Sequence, residues 1–130
     1  MILLDTHVVL WLAFESDRIS KKASLAIEQA RRSGEGVAIS DITLLEITNL
    51  NRKGHIALSG TLETFLTEVE NRFSVLPITA RTCVRSANFP TTYPSDLADR
   101  VIGATALVEG IPLVTADEAI RRARVLPTIW

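Results

Sequence analysis

Short apolar runs alternate with longer stretches of helical periodicity along this chain. Runs of strand length occupy residues 1–4, 36–39, 74–78 and 111–115, and 125–129 is a candidate edge strand. Between them, apolar residues recur at helical spacing, as Ala23, Ile27 and Ala30 do, which predicts amphipathic helices. Strands that alternate with helices indicate a parallel sheet covered on both faces. We therefore expect residues 1–130 to form a single domain, a three-layer α/β/α sandwich around a mostly parallel sheet of four to five strands.

Capping residues mark where the helices begin and end. Four helices have one clear N-cap candidate: Ser20, Thr61, Thr79 and Asp117. Two beginnings stay open, because Ser40 or Asp41 suits one helix and Ser95 or Asp96 suits another. Glycines are predicted to end three helices: Gly34, Gly54 and Gly110.

Length and composition are typical of one soluble globular domain. A chain of 130 residues buries roughly two-thirds of its unfolded surface, so it needs no disulfide to fold. No apolar run approaches the roughly 20 residues of a membrane span, and the first residues lack the basic segment of a signal peptide. The single cysteine, Cys83, excludes an internal disulfide; we expect it half-buried on a helix, in a protein of the cytoplasm.

The charge balance limits how this chain can bind nucleic acid. The net charge is −1, whereas proteins that bind nucleic acid through phosphate neutralisation alone are usually strongly basic. A divalent cation and a local basic patch would have to provide the attraction. Aromatic residues make up only 5% of the chain, which argues against a stacking platform for single strands.

Four acidic residues differ from those on the predicted polar helix faces. Asp5 lies directly after the first strand, and Asp117 follows the fourth strand at the same end of the sheet. Glu46 and Asp99 fall within the first two turns of their helices. Open parallel sheets bind ligands beyond the carboxyl ends of their strands, so we expect these four carboxylates to converge on one rim.

Converging carboxylates indicate a cation. They repel one another and raise one another's pKa, a cost that a fold tolerates when something positive lies between them. Sets of oxygen ligands favour Mg²⁺ or Mn²⁺ over zinc, which prefers Cys and His. Such a metal can bind a phosphate oxygen and acidify a bound water, which is the chemistry of phosphodiester hydrolysis.

Each acid also has a structural interpretation. Asp5 and Asp117 suit the N-caps of the helices that follow them, and Asp96 is more readily a cap than a metal ligand. Glu46 can be a rim residue of its helix, and Asp99 an acid that suits the helix dipole. Each structural interpretation is plausible for one acid alone. All of them together are less plausible, because the four main acids are predicted at one edge of one sheet.

Four motifs resemble those of the PIN-domain family, and within it the VapC-type toxins of bacterial and archaeal toxin–antitoxin pairs. In chain order they are LLDTH at 3–7, SDITLLEI at 40–47, DLADRVIGATA at 96–106 and LVTAD at 113–117. Each motif alone is weak. Their order and spacing, over nearly the whole chain, make the resemblance specific.

The resemblance implies a PIN-like fold and an endoribonuclease that depends on Mg²⁺ or Mn²⁺. Asp5 and Asp99 would be the principal metal ligands, with Glu46 and Asp117 completing the pocket directly or through water. Thr6 and Thr115 would orient those carboxylates. The family's usual form is a homodimer, and its usual partner is a small VapB-type antitoxin that wraps the toxin and blocks the site.

Several basic residues and one histidine remain as candidates near the predicted site. Five side chains are candidates for guiding an RNA backbone: Arg52, Lys53, Arg100, Arg121 and Arg122. Arg100 adjoins Asp99, but its helix position also allows it to point away into a structural contact. His7 stands where the family often has Asn; it either touches substrate or a second metal, or forms a local hydrogen bond, and we expect the local bond.

Three other protein classes are alternatives to the nuclease. An aspartyl-phosphate phosphotransfer domain, with Asp5 phosphorylated, would need a second acid where His7 stands or a lysine after a late strand, and no lysine follows Lys53. A dinucleotide-binding domain would need a glycine-rich turn after the first strand, which is absent. A non-catalytic module whose acids bind a metal or a basic partner stays open on sequence alone.

Overall fold

The five strands of the computed structural model, which describes residues 1–130, form one sheet in which every neighbouring pair is parallel. The strands are β1 (Ile2–Leu4), β2 (Val37–Ser40), β3 (Ser74–Leu76), β4 (Leu113–Val114) and β5 (Thr128–Ile129). Their order across the sheet is β3-β2-β1-β4-β5. The first strand of the chain therefore lies at the centre, where it pairs with β2 on one side and β4 on the other.

Seven α-helices cover the sheet. They are α1 (Thr6–Phe14), α2 (Lys21–Ser33), α3 (Asp41–Arg52), α4 (Leu62–Arg72), α5 (Ala80–Ala87), α6 (Leu97–Glu109) and α7 (Glu118–Ala123), with a short 3-10 helix at Ser16–Arg18. None of these helices has the length and apolar character that crossing a membrane requires.

Alternation along β1 divides the core into two halves. Ile2 and Leu4 belong to a buried cluster with residues of α1, α2, α3 and α4. Leu3, on the opposite face, belongs to a second cluster with Ile102 of α6 and Ile120 of α7. Because successive side chains of a strand point to opposite faces, the sheet has helices on both sides. The predicted three-layer α/β/α sandwich with a parallel sheet is confirmed.

The helix caps follow the predicted chemistry and settle the two open choices. The Ser40 hydroxyl accepts a hydrogen bond from the Ile42 amide at 3.3 Å and is the N-cap of α3. Asp96 accepts from the Asp99 amide at 3.1 Å and is the N-cap of α6. Asp41 instead accepts from the Ile78 amide at 3.1 Å, which ties the start of α3 to the segment after β3.

Some local expectations were wrong in detail. The strand predicted at 111–115 is only Leu113–Val114, and the one predicted at 74–78 ends at Leu76. Pairing requires both partners, so a strand is shorter than its apolar run wherever its neighbour ends. Cys83 lies on helix α5 as expected but is exposed rather than half-buried.

Candidate active site

The four main acids occupy the carboxyl ends of the central strands or the helices that begin there. Asp5 directly follows β1 and is buried, with 4% of its surface exposed. Asp117 follows β4 and caps α7, accepting from the Ile120 amide at 3.1 Å. Glu46 lies on α3 and Asp99 in the first turn of α6, and both are half-buried. Asp96 is exposed beside them.

Thr115 joins the ends of β1 and β4. Its hydroxyl donates to Asp5 Oδ2 at 2.7 Å and accepts from the Asp117 amide at 3.1 Å. The other Asp5 oxygen, Oδ1, accepts from the Thr6 amide at 2.9 Å. Thr115 is fully buried, so its hydroxyl fixes the Asp5 carboxylate and the backbone that presents Asp117 with one atom.

Thr6 joins the carboxyl end of β1 to helix α3. Its hydroxyl donates to Glu46 Oε1 and lies 3.1 Å from the hydroxyl of Thr43. Thr43 is buried and was not among the residues selected from the sequence. A threonine one turn before the helix glutamate is the only sign of it in the sequence, and that pattern is common in helices without a site.

Tyr93 holds the first turn of α6 from the loop before it. Its hydroxyl donates to the Asp99 backbone carbonyl at 2.7 Å. The ring packs on Gly103, where an added Cβ would lie 2.3 Å from the Tyr93 hydroxyl oxygen. Tyr93 is buried although its loop is irregular. The sequence did not indicate this contact, because Tyr93 lies in a loop flanked by prolines and its partner, Gly103, is a glycine inside a helix.

The carboxylates act on one another electrostatically. Burial is the largest cause that raises the pKa of Asp99, which reaches about 7. Four neighbouring carboxylates raise it further, in the order Asp5, Asp96, Asp117 and Glu46. The pKa of Glu46 is also raised, by burial and then by Asp5 and Asp96, against the lowering effect of the Thr6 hydroxyl. The negative charges predicted to converge on one rim do so.

No lysine or arginine neutralises this rim. The ion pairs of the chain join basic groups to Glu35, Glu15, Glu28 and Glu118, none of which is among these acids. The one contact to a rim carboxylate is that of His7 with Asp5. A carboxylate cluster without an internal cation is costly for a fold. The arrangement therefore suits an external cation.

His7 lies between the ends of β1 and β4. Its Nε2 accepts from the Ala116 amide at 3.0 Å, and its Nδ1 lies 3.5 Å from Asp5 Oδ2. Since Nε2 accepts, the proton of a neutral ring is on Nδ1, which faces the carboxylate. The expected local hydrogen bond was wrong, because the partner is 109 positions away in the chain.

The donors at the rim fit a partly hydrated hard cation. They are carboxylate and hydroxyl oxygens, which suit Mg²⁺ or Mn²⁺. No group of three or more His, Cys, Asp or Glu side chains is arranged to hold a metal ion. Mg²⁺ usually keeps several waters and binds through one or two carboxylates, so the rim fits that mode of binding better than the closed cage of a structural zinc site.

The structure separates the basic residues predicted to guide RNA. Arg100 donates from Nη1 to the Ser86 carbonyl at 3.2 Å, which anchors α6 to α5. Lys53 lines a groove beside the rim together with Glu46 and Asp96. Arg52 is exposed at the end of α3, and Arg121 and Arg122 are exposed on α7.

The family model described as the PIN domain matches residues 2–126. The chain belongs to the PIN-domain family. A relative of this PIN domain, Ribonuclease VapC22 of Mycobacterium tuberculosis, is 33% identical over 123 residues, which cover 95% of this chain and 92% of that protein. The family predicted from the four motifs is confirmed.

Solved structures share the fold of this PIN domain. A toxin–antitoxin complex from Klebsiella pneumoniae is similar with a TM-score of 0.60 and 25% identity, over 90% of this chain and 87% of that one. VapBC2 from Rickettsia felis, bound to a DNA fragment from its promoter, has a TM-score of 0.72 at 18% identity, over 98% and 97% of the two chains. DNA-bound VapBC from Salmonella typhimurium has a TM-score of 0.69 at 20% identity, over the same shares. At such low identity, the last two show the fold alone.

Proposed function

We propose that this PIN domain is a metal-dependent endoribonuclease that hydrolyses RNA phosphodiester bonds at its acidic rim and acts as the toxin of a toxin–antitoxin pair. The observation that carries the proposal is the placement of Asp5, Glu46, Asp99 and Asp117 at one end of the sheet, held there by Thr6 and Thr115. Burial and the neighbouring carboxylates raise the pKa of Asp99, which supports it. No lysine or arginine forms an ion pair with any of these acids. The ribonuclease activity named for its VapC22 relative supports RNA as the substrate.

We assign the principal metal contacts to Asp5 and Asp99, with Glu46 and Asp117 acting directly or through water. A bound Mg²⁺ or Mn²⁺ would supply Lewis-acid polarisation of a phosphate and a more acidic water. Two threonines hold the acids in place: Thr115 fixes Asp5, and Thr6 fixes Glu46. Asp96 holds the first turn of α6 through the Asp99 amide and adds negative charge.

Lys53 is the basic residue best placed to contact the RNA backbone. It lines the groove that reaches Glu46 and Asp96, and its side chain forms no ion pair. Arg52, Arg121 and Arg122 remain exposed candidates farther along their helices. Arg100 has a structural role in this proposal, because its guanidinium is bound to the α5 carbonyl of Ser86.

The partners follow from the relatives. The Klebsiella complex pairs a toxin with its antitoxin, and we extend that pairing to this chain, with a VapB-type antitoxin that covers the acidic rim. We also propose a homodimer in the cytoplasm. Growth arrest on expression of the chain alone, relieved by co-expression of the neighbouring reading frame, is the expected behaviour.

Calorimetric titration of Mn²⁺, followed by incubation with total RNA, tests the nuclease. We expect wild-type protein to bind Mn²⁺ and to cleave RNA into discrete products. The Asp5→Asn and Asp99→Asn variants should lose both properties while they keep the far-ultraviolet circular dichroism of the fold. The preparation must be free of antitoxin, because a bound antitoxin would block the same rim.

The matched control is Glu109→Gln, which removes an exposed acid from the other end of the same helix, α6. It should bind Mn²⁺ and cleave RNA as the wild type does. A folded Asp99→Asn protein that still cleaves RNA would contradict the proposal. Mn²⁺ binding without cleavage by the wild type would instead favour the non-catalytic module, with the rim as a docking surface for a basic partner.

A further inference from the structure

An aromatic row runs outward from the acidic rim along α1. We define it as His7, Trp11 and Trp130, with the guanidinium of Arg18 above Trp11. The His7 and Trp11 ring centroids are 4.8 Å apart, and those of Trp11 and Trp130 are 5.7 Å apart. The Arg18 guanidinium carbon lies 4.3 Å from the Trp11 ring centre. The row meets the rim at His7, which contacts Asp5.

The hydrophobic core does not account for Trp11. Trp130 packs against the cluster of α1 to α4, but Trp11 is absent from the residues that pack against either cluster. Trp11, Trp130 and His7 are all half-exposed, and Arg18 is exposed. A half-exposed tryptophan that the core does not use, with other aromatic side chains beside it at the surface, is typical of binding sites.

We propose that the aromatic row is a stacking site for unpaired bases of a single-stranded RNA, next to the phosphate at the acidic rim. This inference rests on the proposed function and deepens it, because it assigns the side chains that would hold the bases of the substrate. Bases of any sequence present a π-face, and aromatic rings together with arginine bind such faces. The duplex form of the same RNA, with its bases stacked inside, would not use the row.

The geometry leaves the row able to receive a base. The two ring pairs are tilted by 57° and 54° rather than parallel, so these rings do not stack face to face on one another. Both His7 nitrogens face partners within the protein, so His7 contributes its ring face rather than a polar contact. Arg18 adds a positive charge, and its exposed pair with Glu15 is of the kind that adds little to stability.

The position of the row favours RNA over a protein segment as the occupant, because His7 joins the row to Asp5 of the acidic rim, where the proposed function requires a phosphate. A chain with a net charge of −1 attracts RNA weakly through its overall charge. Contacts to the bases must therefore provide a larger share of the binding affinity. The low aromatic content argued against a stacking platform, but both tryptophans of the chain are in this row. The clustering of the two tryptophans beside the rim therefore favours a stacking site, which the low aromatic content of the whole chain did not predict.

Tryptophan emission tests the row directly, because no tryptophan lies elsewhere in the chain. The probe is a short single-stranded oligoadenylate, titrated into protein with the Asp99→Asn change, which prevents cleavage under the proposed function and removes one negative charge. We expect oligoadenylate to quench the emission and duplex RNA of equal length to leave it nearly unchanged. Trp11→Leu in the same background should weaken binding about tenfold, the effect of roughly one stacked base.

Three further variants allow the stacking site to be tested even if Trp11→Leu is poorly folded. Trp11→Phe retains an aromatic face and should restore most of the binding. Arg18→Ala should weaken binding about threefold, as expected for one cation–π contact near a surface. The matched control, Arg32→Ala, removes an exposed arginine from a similar helical ion pair with Glu28 on α2 and should bind as the parent does.

Kinetics with the active protein separate this inference from the proposed function. If the row binds bases, Trp11→Leu raises KM for single-stranded RNA and leaves kcat near the wild-type value. RNA cleavage with an unchanged KM, together with emission that does not respond to RNA, would overturn the stacking site and leave the nuclease standing; the row would then be a protein contact. Trp11-dependent binding without any cleavage would overturn the nuclease and support the stacking site.

Discussion

Thr115 shows how one side chain can organise two strand ends. Its hydroxyl donates to Asp5 and accepts from the amide of Asp117, and it is fully buried. A buried hydroxyl with two partners leaves both unsatisfied when it is removed, which costs more than the average hydrogen bond. Thr115 therefore contributes both to folding and to the geometry of the proposed metal site.

Replacement of Thr115 by valine keeps the shape of the side chain and removes the hydroxyl. We expect the free energy of unfolding to fall by about 1–3 kcal/mol, because the buried Asp5 oxygen loses a donor. Mn²⁺ affinity should fall as well, since Asp5 is no longer fixed. Urea unfolding and calorimetry measure the two effects.

Thr105→Val is the matched control for that change. Thr105 is also buried, but its hydroxyl donates only to the Val101 carbonyl one turn earlier in α6, which keeps its helical partner without it. This variant should unfold close to the wild type and bind Mn²⁺ equally well. Equal losses in the two variants would mean that Thr115 acts only through packing.

The helices and strands were predictable from the sequence to the extent that local chemistry determines them. N-caps such as Ser20 and Thr61 and glycines with positive φ such as Gly34 and Gly110 begin and end helices as expected. Strand ends were less accurate, because each depends on a partner strand far away in the chain. The convergence of the carboxylates followed from the topology alone, since all of them lie near strand carboxyl ends.

Contacts between distant segments could not be predicted. Nothing near His7 indicates its bond to the Ala116 amide, and nothing near Tyr93 indicates that it packs on Gly103. Arg100 could have pointed either way around its helix until the position of α5 was known. The roles that the family resemblance gives to Asp5, Glu46, Asp99 and Asp117 stay predictions, with the proposed experiments as their test.

Helix α6 depends on a glycine in its interior. Alanine normally favours a helix by about 1 kcal/mol over glycine, but at position 103 its Cβ would lie 2.3 Å from the Tyr93 hydroxyl oxygen and 2.9 Å from Cζ. We expect Gly103→Ala to destabilise the protein by about 1–3 kcal/mol, as overpacking usually does. It should also weaken Mn²⁺ binding, because Tyr93 holds the turn that carries Asp99.

A double-mutant cycle with Tyr93→Phe checks this explanation. Removal of the hydroxyl relieves the closest contact, so the double variant should be more stable than the sum of the two single changes predicts. Thermal and urea unfolding supply the four stabilities. Strict additivity would show that Gly103 is needed for another reason.

The stability of the whole protein should depend on pH in a way set by the acidic rim. The pKa of Asp99 is raised from 3.8 to about 7 by the fold, and that of Glu46 is raised as well. Between these values the folded state holds a proton on Asp99 that the unfolded state has lost, so the contribution of this group to stability is greatest at low pH and falls as the pH rises. Without metal, we expect the melting temperature to fall between about pH 4 and pH 7.

Two changes should oppose the fall of the melting temperature with pH. Mg²⁺ or Mn²⁺ at neutral pH should raise the melting temperature, because a ligand that binds only the folded state stabilises it. Asp99→Asn should flatten the dependence on pH in the metal-free protein, whereas Glu109→Gln should keep it. Melting curves in buffers across this range, with chelator or with added metal, decide the matter; a wild type that is equally stable throughout would contradict the electrostatic account.

The central position of β1 has a consequence for how the protein is made. The first strand pairs with β4, and Asp5 receives its hydrogen bond from a threonine that is joined to the chain 110 residues later. Ribosomes add about 5–20 residues per second, so the nascent chain has only part of the acidic rim until residues 113–117 have been added. A product that ends before β4 has neither Thr115 nor Asp117, and we expect no RNA-cutting activity from it.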